Sequence, residues 1–228
     1  MDNPYAAPST DVRQSEFEVA GAAPYTVAEM RAAFTRFAWS YWGYIGTIVV
    51  FMAVMIAMVV QVAMRGGQVN SEADVERAMQ GWAMGMGVFA LLLIVIAVLM
   101  TVFAMILLYR YWVVMQPYSK RTTPGKAVGF LFIPFFNLYW MFVAYHGLAK
   151  DIDTYLDQNR QSKAPRPSSG LVLATVILML VSFVPYLGNL AGLALLVLLF
   201  IMKLRLNNSI IGIIQDRSRQ QASAVPSK

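Results

Sequence analysis

The stretch GVFALLLIVIAVLMTVFAMILLY (residues 87–109) contains no charged residue, and it decides the class of this protein. A run of about 18 or more apolar residues is typical of a transmembrane helix. The stretch WSYWGYIGTIVVFMAVMIAMVVQVAM (39–64) has the same character, and the Trp and Tyr residues at its start are typical of an aromatic belt at a membrane surface. Both runs therefore predict helices that cross a bilayer.

The composition of the whole chain also indicates a membrane protein. Of its 228 residues, 58% are hydrophobic and 13% are charged, against about 25% charged in soluble domains. The chain has no cysteine and one histidine, His146, which excludes disulfides, thiolate metal sites and a histidine-rich metal site. Because the polar residues 1–26 lack the apolar core of a signal peptide, we expect the first apolar run to remain as an anchor.

The sequence predicts an all-α polytopic bundle in three parts. Residues 1–26 are predicted to be a disordered cytoplasmic tail, residues 27–218 a helical membrane domain, and residues 219–228 a flexible C-terminal tail. Thr26 and Glu29 match a capping box, so a short interfacial helix is expected to begin directly after Thr26 and lead into the first span. Four crossing helices are predicted, at about residues 39–64, 82–109, 170–184 and 187–204.

The last two predicted helices come from one apolar run, residues 171–202. At 1.5 Å per residue a single helix there would be about 48 Å long, more than the roughly 30 Å of a hydrocarbon core. The sequence VPYLGN (184–189) carries turn chemistry. A tight hairpin is therefore favoured, with one long kinked helix as the alternative.

The apolar segment 128–148 is predicted to be broken at Pro134–Asn137. Proline lacks the amide that a helix needs, and asparagine favours a turn. We expect a re-entrant or interfacial segment at the cytoplasmic side, because irregular backbone at membrane depth must be satisfied by protein or water. The similar sequences FIPFFNL (132–138) and FVPYLGNL (183–190) suggest an internal repeat, with chance as the alternative.

Charged residues set the predicted orientation. Residues 110–127 carry four basic and no acidic side chains, whereas residues 65–81 are mixed. Residues 149–170 and the C-terminal tail also contain several basic residues. Since basic residues mark the cytoplasmic side, both termini are predicted to be cytoplasmic. The net charge of +6 is interpreted as facing anionic lipid headgroups, not nucleic acid.

Few side chains suggest chemistry. No nucleophile–base arrangement, phosphate-binding loop or carboxylate pair is apparent, so no enzymatic activity, catalytic residue or cofactor is predicted. His146, near Lys150, is more typical of a hydrogen-bonding residue at a membrane boundary than of a catalyst. Asp151, Asp153 and Asp157 lack the glycine and terminal glutamate of a calcium loop, and they are interpreted as a solvated helix face.

Methionines provide one speculative metal site. Thioether sulfur suits copper(I), and the candidates lie near the predicted outer ends of the first two spans: Met58, Met64, Met79, Met84 and Met86. Methionine is also a common packing residue, which is the preferred interpretation. The pairs Gly81–Gly85 and Gly188–Gly192 would permit close helix contact.

The stretch TPGKAVGFLFIPFFNLYW (123–140), preceded by LLYRYW (107–112), resembles a group of uncharacterised bacterial membrane proteins. These carry a domain of unknown function with the pattern PGxAVGxxFIPxxNLxW. Lys126 stands where the family often has Trp, and a later Pro is absent. The opening DNPYAAP is similar to the N-terminus of small inner-membrane proteins of Gram-negative bacteria. The residues of interest are Pro124, Gly125, Gly129, Pro134, Asn137 and Trp140, with His146 following.

The resemblance covers roughly residues 85–205 and implies a multi-span protein of the bacterial inner membrane, but no activity. We expect a non-enzymatic structural or accessory subunit acting through helix–helix contacts, with the bilayer and another membrane protein or a second copy as partners. A small-solute or copper transporter is the alternative, and a membrane enzyme is a disfavoured third class. A transporter needs a polar midplane cavity between broken helices, whereas an accessory subunit needs an exposed small-residue or aromatic face.

Overall fold

The computed structural model describes residues 24–64, 72–184 and 187–224, and helices are the regular structure found in these ranges. The α-helices are α1 Val27–Met64, α2 Glu72–Met115, α3 Pro124–Gly129, α4 Phe136–Met141, α5 Leu148–Gln158, α6 Ser169–Val181 and α7 Leu187–Ala224. A 3-10 helix, Phe130–Phe132, follows α3, and a π-helix, Phe142–Gly147, joins α4 to α5.

Three described helices are long and apolar enough to cross a membrane, within Val27–Gln61, Gln80–Met115 and Ala194–Ser223. The sequence predicts four crossings, and the difference lies in α6. Its 13 residues make a helix of about 20 Å, less than the roughly 30 Å hydrocarbon core. The following helix α7 continues well beyond the predicted end at Leu204, so the two helices of this hairpin are unequal in length.

Helix α1 begins at the capping box. The backbone amide of Thr26 donates to Oε2 of Glu29 at 2.7 Å, and the amide of Glu29 donates to Oγ1 of Thr26 at 3.2 Å. These reciprocal bonds satisfy two amides that the first turn cannot pair. The helix is continuous from Val27, so the interfacial helix expected before the first span is part of the span itself.

The chain forms two compact units, which we name separately. The α1–α2 unit comprises Thr35–Met105, and the core unit comprises the residues up to Phe34 together with Ile106 onwards. In the α1–α2 unit the rings of Phe51 and Phe89 stack with their centroids 4.7 Å apart. Most of its large apolar side chains are exposed, as expected for a surface that lipid or another membrane helix covers.

The core unit buries side chains from the end of α2, from α5 and from the second half of α7. Helix α5 is amphipathic, because Leu148, Ile152, Tyr155 and Leu156 are all buried. Apolar residues three or four positions apart lie on one face of a helix. The second half of α7 is more fully enclosed, and its buried apolar residues include Leu206, Ile210, Ile211, Ile213 and Ile214.

The segment 128–148 is interrupted at Pro134 and Phe135. Phe135 has a φ of 61°, which is rare for a bulky residue, and its side chain is 88% exposed. Asn137 does not form the break as predicted. It lies inside α4, where its backbone amide donates to the carbonyl of Ile133 at 3.0 Å. Pro134 has no backbone amide and cannot donate the hydrogen bond that would continue a helix. The chain turns directly after it, and the strained positive φ lies at Phe135.

Candidate functional site

A buried lysine lies at the centre of the core unit. Lys203, at the end of the last predicted span, where basic residues are expected to mark the cytoplasmic side, is 1% exposed on α7. Its ammonium donates to the hydroxyl of Tyr145 at 3.2 Å and lies 4.5 Å from the centroid of the same ring. The hydroxyl of Tyr111 donates to the Lys203 carbonyl at 3.4 Å. These contacts compensate part of the desolvation of the ammonium, which is costly in an apolar interior.

The amide of Asn207 lies one turn further along α7. Its side chain is 3% exposed, and its Oδ1 has no hydrogen-bond partner among the residues that the structure describes. Residues four apart on a helix share one face. Lys203 and Asn207 therefore form a polar pair on the buried face of α7, in a region where the sequence suggests only apolar packing and a charged tail.

The π-helix presents Tyr145 to this lysine. A π-helix is rare, and it frequently occurs at functional sites. Here the indole of Trp112 donates to the carbonyl of Ala144 at 3.1 Å, which ties the π-helix to the end of α2. Next to it, Nδ1 of His146 lies 3.2 Å from the carbonyl of Ser169, at the start of α6. Burial, with the charge of Lys150, lowers the pKa of His146.

The family-like motif builds a small hairpin from short helices. The hydroxyl of Thr123 accepts a bond from the amide of Lys126 and caps α3, with Pro124 in the first turn. The indole of Trp140 on α4 donates to the carbonyl of Ala127 at 3.1 Å, which joins the two limbs. Gly125 and Gly129 are exposed, with no heavy atom within 4 Å of an added Cβ, so neither is needed for close packing.

The acidic residues of α5 are paired with arginines, and Asp157 is 67% exposed, as expected of a solvated helix face. Asp151 is largely buried and lies 3.0 Å from Nη2 of Arg121. The hydrogen bond to this carboxylate raises the pKa of Arg121. Asp157 and Asp153 lie 2.6 and 3.9 Å from Arg166. Within the described ranges no three acidic or histidine side chains form a group that could hold a metal ion.

Other predicted features lie apart from this site. The methionines Met58, Met64, Met84 and Met86 belong to the α1–α2 unit, and all but Met58 are exposed, while the side chain of Met79 lies outside the described residues. A cleft of about 480 Å³ lies beside α5 and the loop after it. Its lining residues are Leu156, Asp157, Arg160, Ser162, Ala164 and Arg166.

Comparison with known proteins identifies a family. The family described as "Domain of unknown function (DUF4328)" matches residues 67–184, slightly more than half of the chain. No curated protein and no solved structure matches the chain. The match contains the hairpin motif and Tyr145, and it ends before Lys203. The resemblance to a domain of unknown function is thus confirmed, and the chain belongs to the DUF4328 family.

Proposed function

We propose that this chain is a non-enzymatic accessory subunit of a bacterial inner membrane, in which the α1–α2 unit packs against a helix of another membrane protein. The observation that carries the proposal is the glycine pair Gly81 and Gly85. Both lie within α2 and are exposed, and an added Cβ at either would meet no heavy atom within 4 Å. No other described part of the chain therefore packs against this small-residue face.

A glycine inside a helix costs about 1 kcal/mol relative to alanine. Lipid chains can cover larger side chains equally well, so contact with lipid gives no reason for that cost. Small residues four apart allow a second helix to approach closely, and this contact is a reason to keep glycine at both positions. The same face of α2 carries exposed apolar side chains, with Met84 75% and Val88 66% exposed. A partner helix would cover this surface.

The membrane location and orientation are part of the proposal. The basic residues of 110–127 and the family resemblance support a cytoplasmic side for both termini. The ion pair between Arg121 and Asp151 supports a re-entrant arrangement of segment 128–148, because it joins residues on either side of that segment.

The transporter alternative has weaker support. Lys203 favours it, because ionisable residues inside a membrane protein commonly belong to ion or substrate pathways. However, this lysine is enclosed, and the cleft of about 480 Å³ lies beside α5 and not between the broken segments. The exposed positions of Met64, Met84 and Met86 give no support to a copper pathway over ordinary contact with lipid or partner.

The test is a pair of matched substitutions on α2. Gly85→Ile fills the small-residue face, whereas Ala83→Ile adds a larger side chain on the opposite face of the same helix, about 200° away at 100° per residue. The tagged full-length chain is cross-linked in its own membranes, solubilised in mild detergent and purified, and the mass and composition of the complex are measured.

We expect the native chain and Ala83→Ile to retain a stoichiometric membrane-protein partner and Gly85→Ile to lose it. If the co-purified protein is a second copy, the chain forms a homo-oligomer through the same face. Equal retention by the two variants would contradict the use of this face. A native chain that purifies alone would contradict the accessory role and would favour transport.

A further inference from the structure

The cleft of about 480 Å³ beside α5 has charged walls. Arg160 and Arg166 line it together with Asp157, and all three residues are exposed. Leu156, which also lines the cleft, is 5% exposed. Volumes of about 300–1,000 Å³ are typical of sites that bind small molecules. The cleft is thus large enough for a polar ligand, and its walls carry charge that could hold one.

The carboxylate of the cleft is already paired. Oδ1 of Asp157 lies 2.6 Å from Nη2 of Arg166, and Oδ1 of Asp153, one turn earlier on α5, lies 3.9 Å from Nη1 of the same arginine. The acidic residues of α5 therefore neutralise Arg166. A cation would have to displace this arginine to reach Asp157, so the cleft does not favour a cationic ligand.

Arg160 supplies the charge that remains in the cleft. Its guanidinium makes no ion pair or hydrogen bond with any residue that the structure describes. Lys163 is exposed between two lining residues, and the sequence RQSKAPR (160–166) contains three basic residues and no acidic one. The planar guanidinium of an arginine can donate two parallel hydrogen bonds to a phosphate group. The donors and the charge of the cleft therefore fit an anion of this kind.

The loop that carries these residues is fixed to α7. The hydroxyl of Ser162 donates to Oδ2 of Asp216 at 2.5 Å, and the backbone amide of Lys163 donates to the same oxygen at 3.2 Å. The amide of Ala164 donates to Oγ of Ser162 at 3.2 Å. An added Cβ at Gly212 would lie 2.5 Å from Cβ of Ala164, so the loop lies directly against the helix. A fixed loop loses little conformational entropy when a ligand binds.

The cleft lies where the chain passes from polar to apolar sequence. Arg166 is followed within a few residues by α6, which begins at Ser169 and contains no charged residue. Ile177 within α6 is 47% exposed, as expected of a helix that lipid chains cover. Basic residues directly beside an apolar helix lie at the membrane surface. In the membrane location proposed above, the cleft is therefore at the level of the lipid headgroups.

We propose that this cleft binds a phosphate group through the guanidinium of Arg160, and that an anionic phospholipid headgroup supplies the phosphate. Basic pockets at a membrane surface bind anionic headgroups, and the apolar surface of α6 gives the acyl chains a place to lie. The inference goes beyond the accessory role, which concerns α2, and it shares with that role only the membrane location.

The test compares two variants that lose the same charge. Arg160→Gln removes the guanidinium from the cleft, whereas Lys126→Gln removes an exposed charge from α3, outside the lining residues. The full-length chain is purified in mild detergent and titrated with phosphatidylglycerol or with phosphatidylcholine. Native mass spectrometry measures the lipid bound at each concentration, and the unfolding temperature of each variant shows that it is folded.

We expect the native chain and Lys126→Gln to bind phosphatidylglycerol about ten-fold more tightly than phosphatidylcholine, which is the effect of about one charge-assisted hydrogen bond. The choline group carries a positive charge that the basic loop repels. We expect Arg160→Gln to lose this preference. An equal loss in both variants would show a diffuse effect of net charge and would overturn the site. A native chain without the preference would overturn the binding of an anionic headgroup.

A second measurement identifies the source of the phosphate. Inorganic phosphate is added to the complex of the native chain with phosphatidylglycerol, and chloride at equal ionic strength controls for screening. We expect the lipid to remain bound in a large molar excess of phosphate, because its acyl chains add apolar contact beside α6. Displacement at a concentration similar to that of the lipid would overturn the lipid assignment and would assign the cleft to a soluble phosphate compound.

The result is independent of the accessory role. The lipid measurement uses the purified chain without a partner, so it can fail while the accessory role stands. Gly85→Ile changes α2 and leaves the lining residues of the cleft unchanged, so we expect it to bind phosphatidylglycerol as tightly as the native chain does. A loss of lipid binding in Gly85→Ile would overturn the assignment of the lipid to this cleft.

Discussion

Two loops of the core unit are attached to helices by one pattern of residues, and we call these attachments clamps. The first clamp consists of Ser119, Arg121, Gly147 and Asp151, and the second of Ser162, Ala164, Gly212 and Asp216. The two aspartates are similarly covered, with side chains 14% exposed at Asp151 and 10% exposed at Asp216, and each pairs with an arginine. The difference lies at the glycine, because a flexible arginine side chain covers Gly147, whereas the backbone and Cβ of Ala164 lie against Gly212. The same residue spacing thus supports either a movable cover or close backbone contact. The second clamp should tolerate substitution much less than the first.

The largest effect is expected from Asp216→Ala. The change leaves the hydroxyl of Ser162 and the amide of Lys163 without their buried acceptor. Buried unsatisfied donors cost about 1–3 kcal/mol each, so we expect the free energy of unfolding to fall by about 3 kcal/mol. Unfolding in mixed detergent micelles measures it. Asp216→Asn is the matched control, because it retains an acceptor oxygen, and an equal loss in both variants would point to charge and not to these two bonds.

A somewhat smaller loss is expected from Gly212→Ala. The new methyl group would lie 2.5 Å from Cβ and 2.6 Å from Cα of Ala164, and backbone atoms cannot rotate away. Overpacking of this kind typically costs about 1–3 kcal/mol, and the better helix propensity of alanine returns about 1 kcal/mol. We expect a net loss of about 1–2 kcal/mol, seen as a lower Tm in detergent. A variant as stable as the native chain would contradict the close contact at the second clamp.

Asp151→Ala should have a smaller and salt-dependent effect. It removes the acceptor of Ser119 and the ion pair with Arg121, whose side chain is 44% exposed and can bind water instead. Such pairs usually contribute about 1 kcal/mol or less, and salt screens them. The native chain and the variant are compared at low and high ionic strength, where the difference in Tm should shrink as salt is added. A difference that salt leaves unchanged would show that the hydrogen bond from Ser119, and not the ion pair, causes the loss.

The smallest effect is expected from Gly147→Ala. Its methyl group would meet the Cδ of Arg121 at 2.8 Å, but this side chain can move. The gain in helix propensity is about 1 kcal/mol, so we expect stability within about 0.5 kcal/mol of the native chain. Gly125→Ala is the control, because the added Cβ meets open space there and the variant shows the effect of helix propensity alone. A loss at Gly147 as large as that at Gly212 would remove the difference between the clamps.

Several features follow from local sequence, because they depend on residues that are neighbours in the chain. The start of α1 needs only Thr26 and Glu29, which bond to each other within one turn. The buried face of α5 follows from the spacing of its apolar residues. The interruption near Pro134 follows from a missing amide, although the strained residue is Phe135 and not Asn137.

The candidate site could not be predicted in this way. Lys203 has the same local pattern as a basic residue that ends a membrane helix, and its burial depends on Tyr145, which is 58 residues away. The acidic residues of α5 have the pattern of a solvated face, but Arg121 and Arg166 cover them from other segments. The Ser-Lys and Gly-x-x-x-Asp patterns are visible in the sequence, but only their contacts show that they belong together.

The sequence by itself determined the helical class, the apolar helices and the place where a broken segment must turn, because hydropathy, capping and proline chemistry act over a few residues. Only the tertiary structure decided which polar groups meet. The burial of Lys203 and the two clamps depend on side chains that are distant in sequence. Their pairing is set by the need to satisfy buried polar groups where the segments come together.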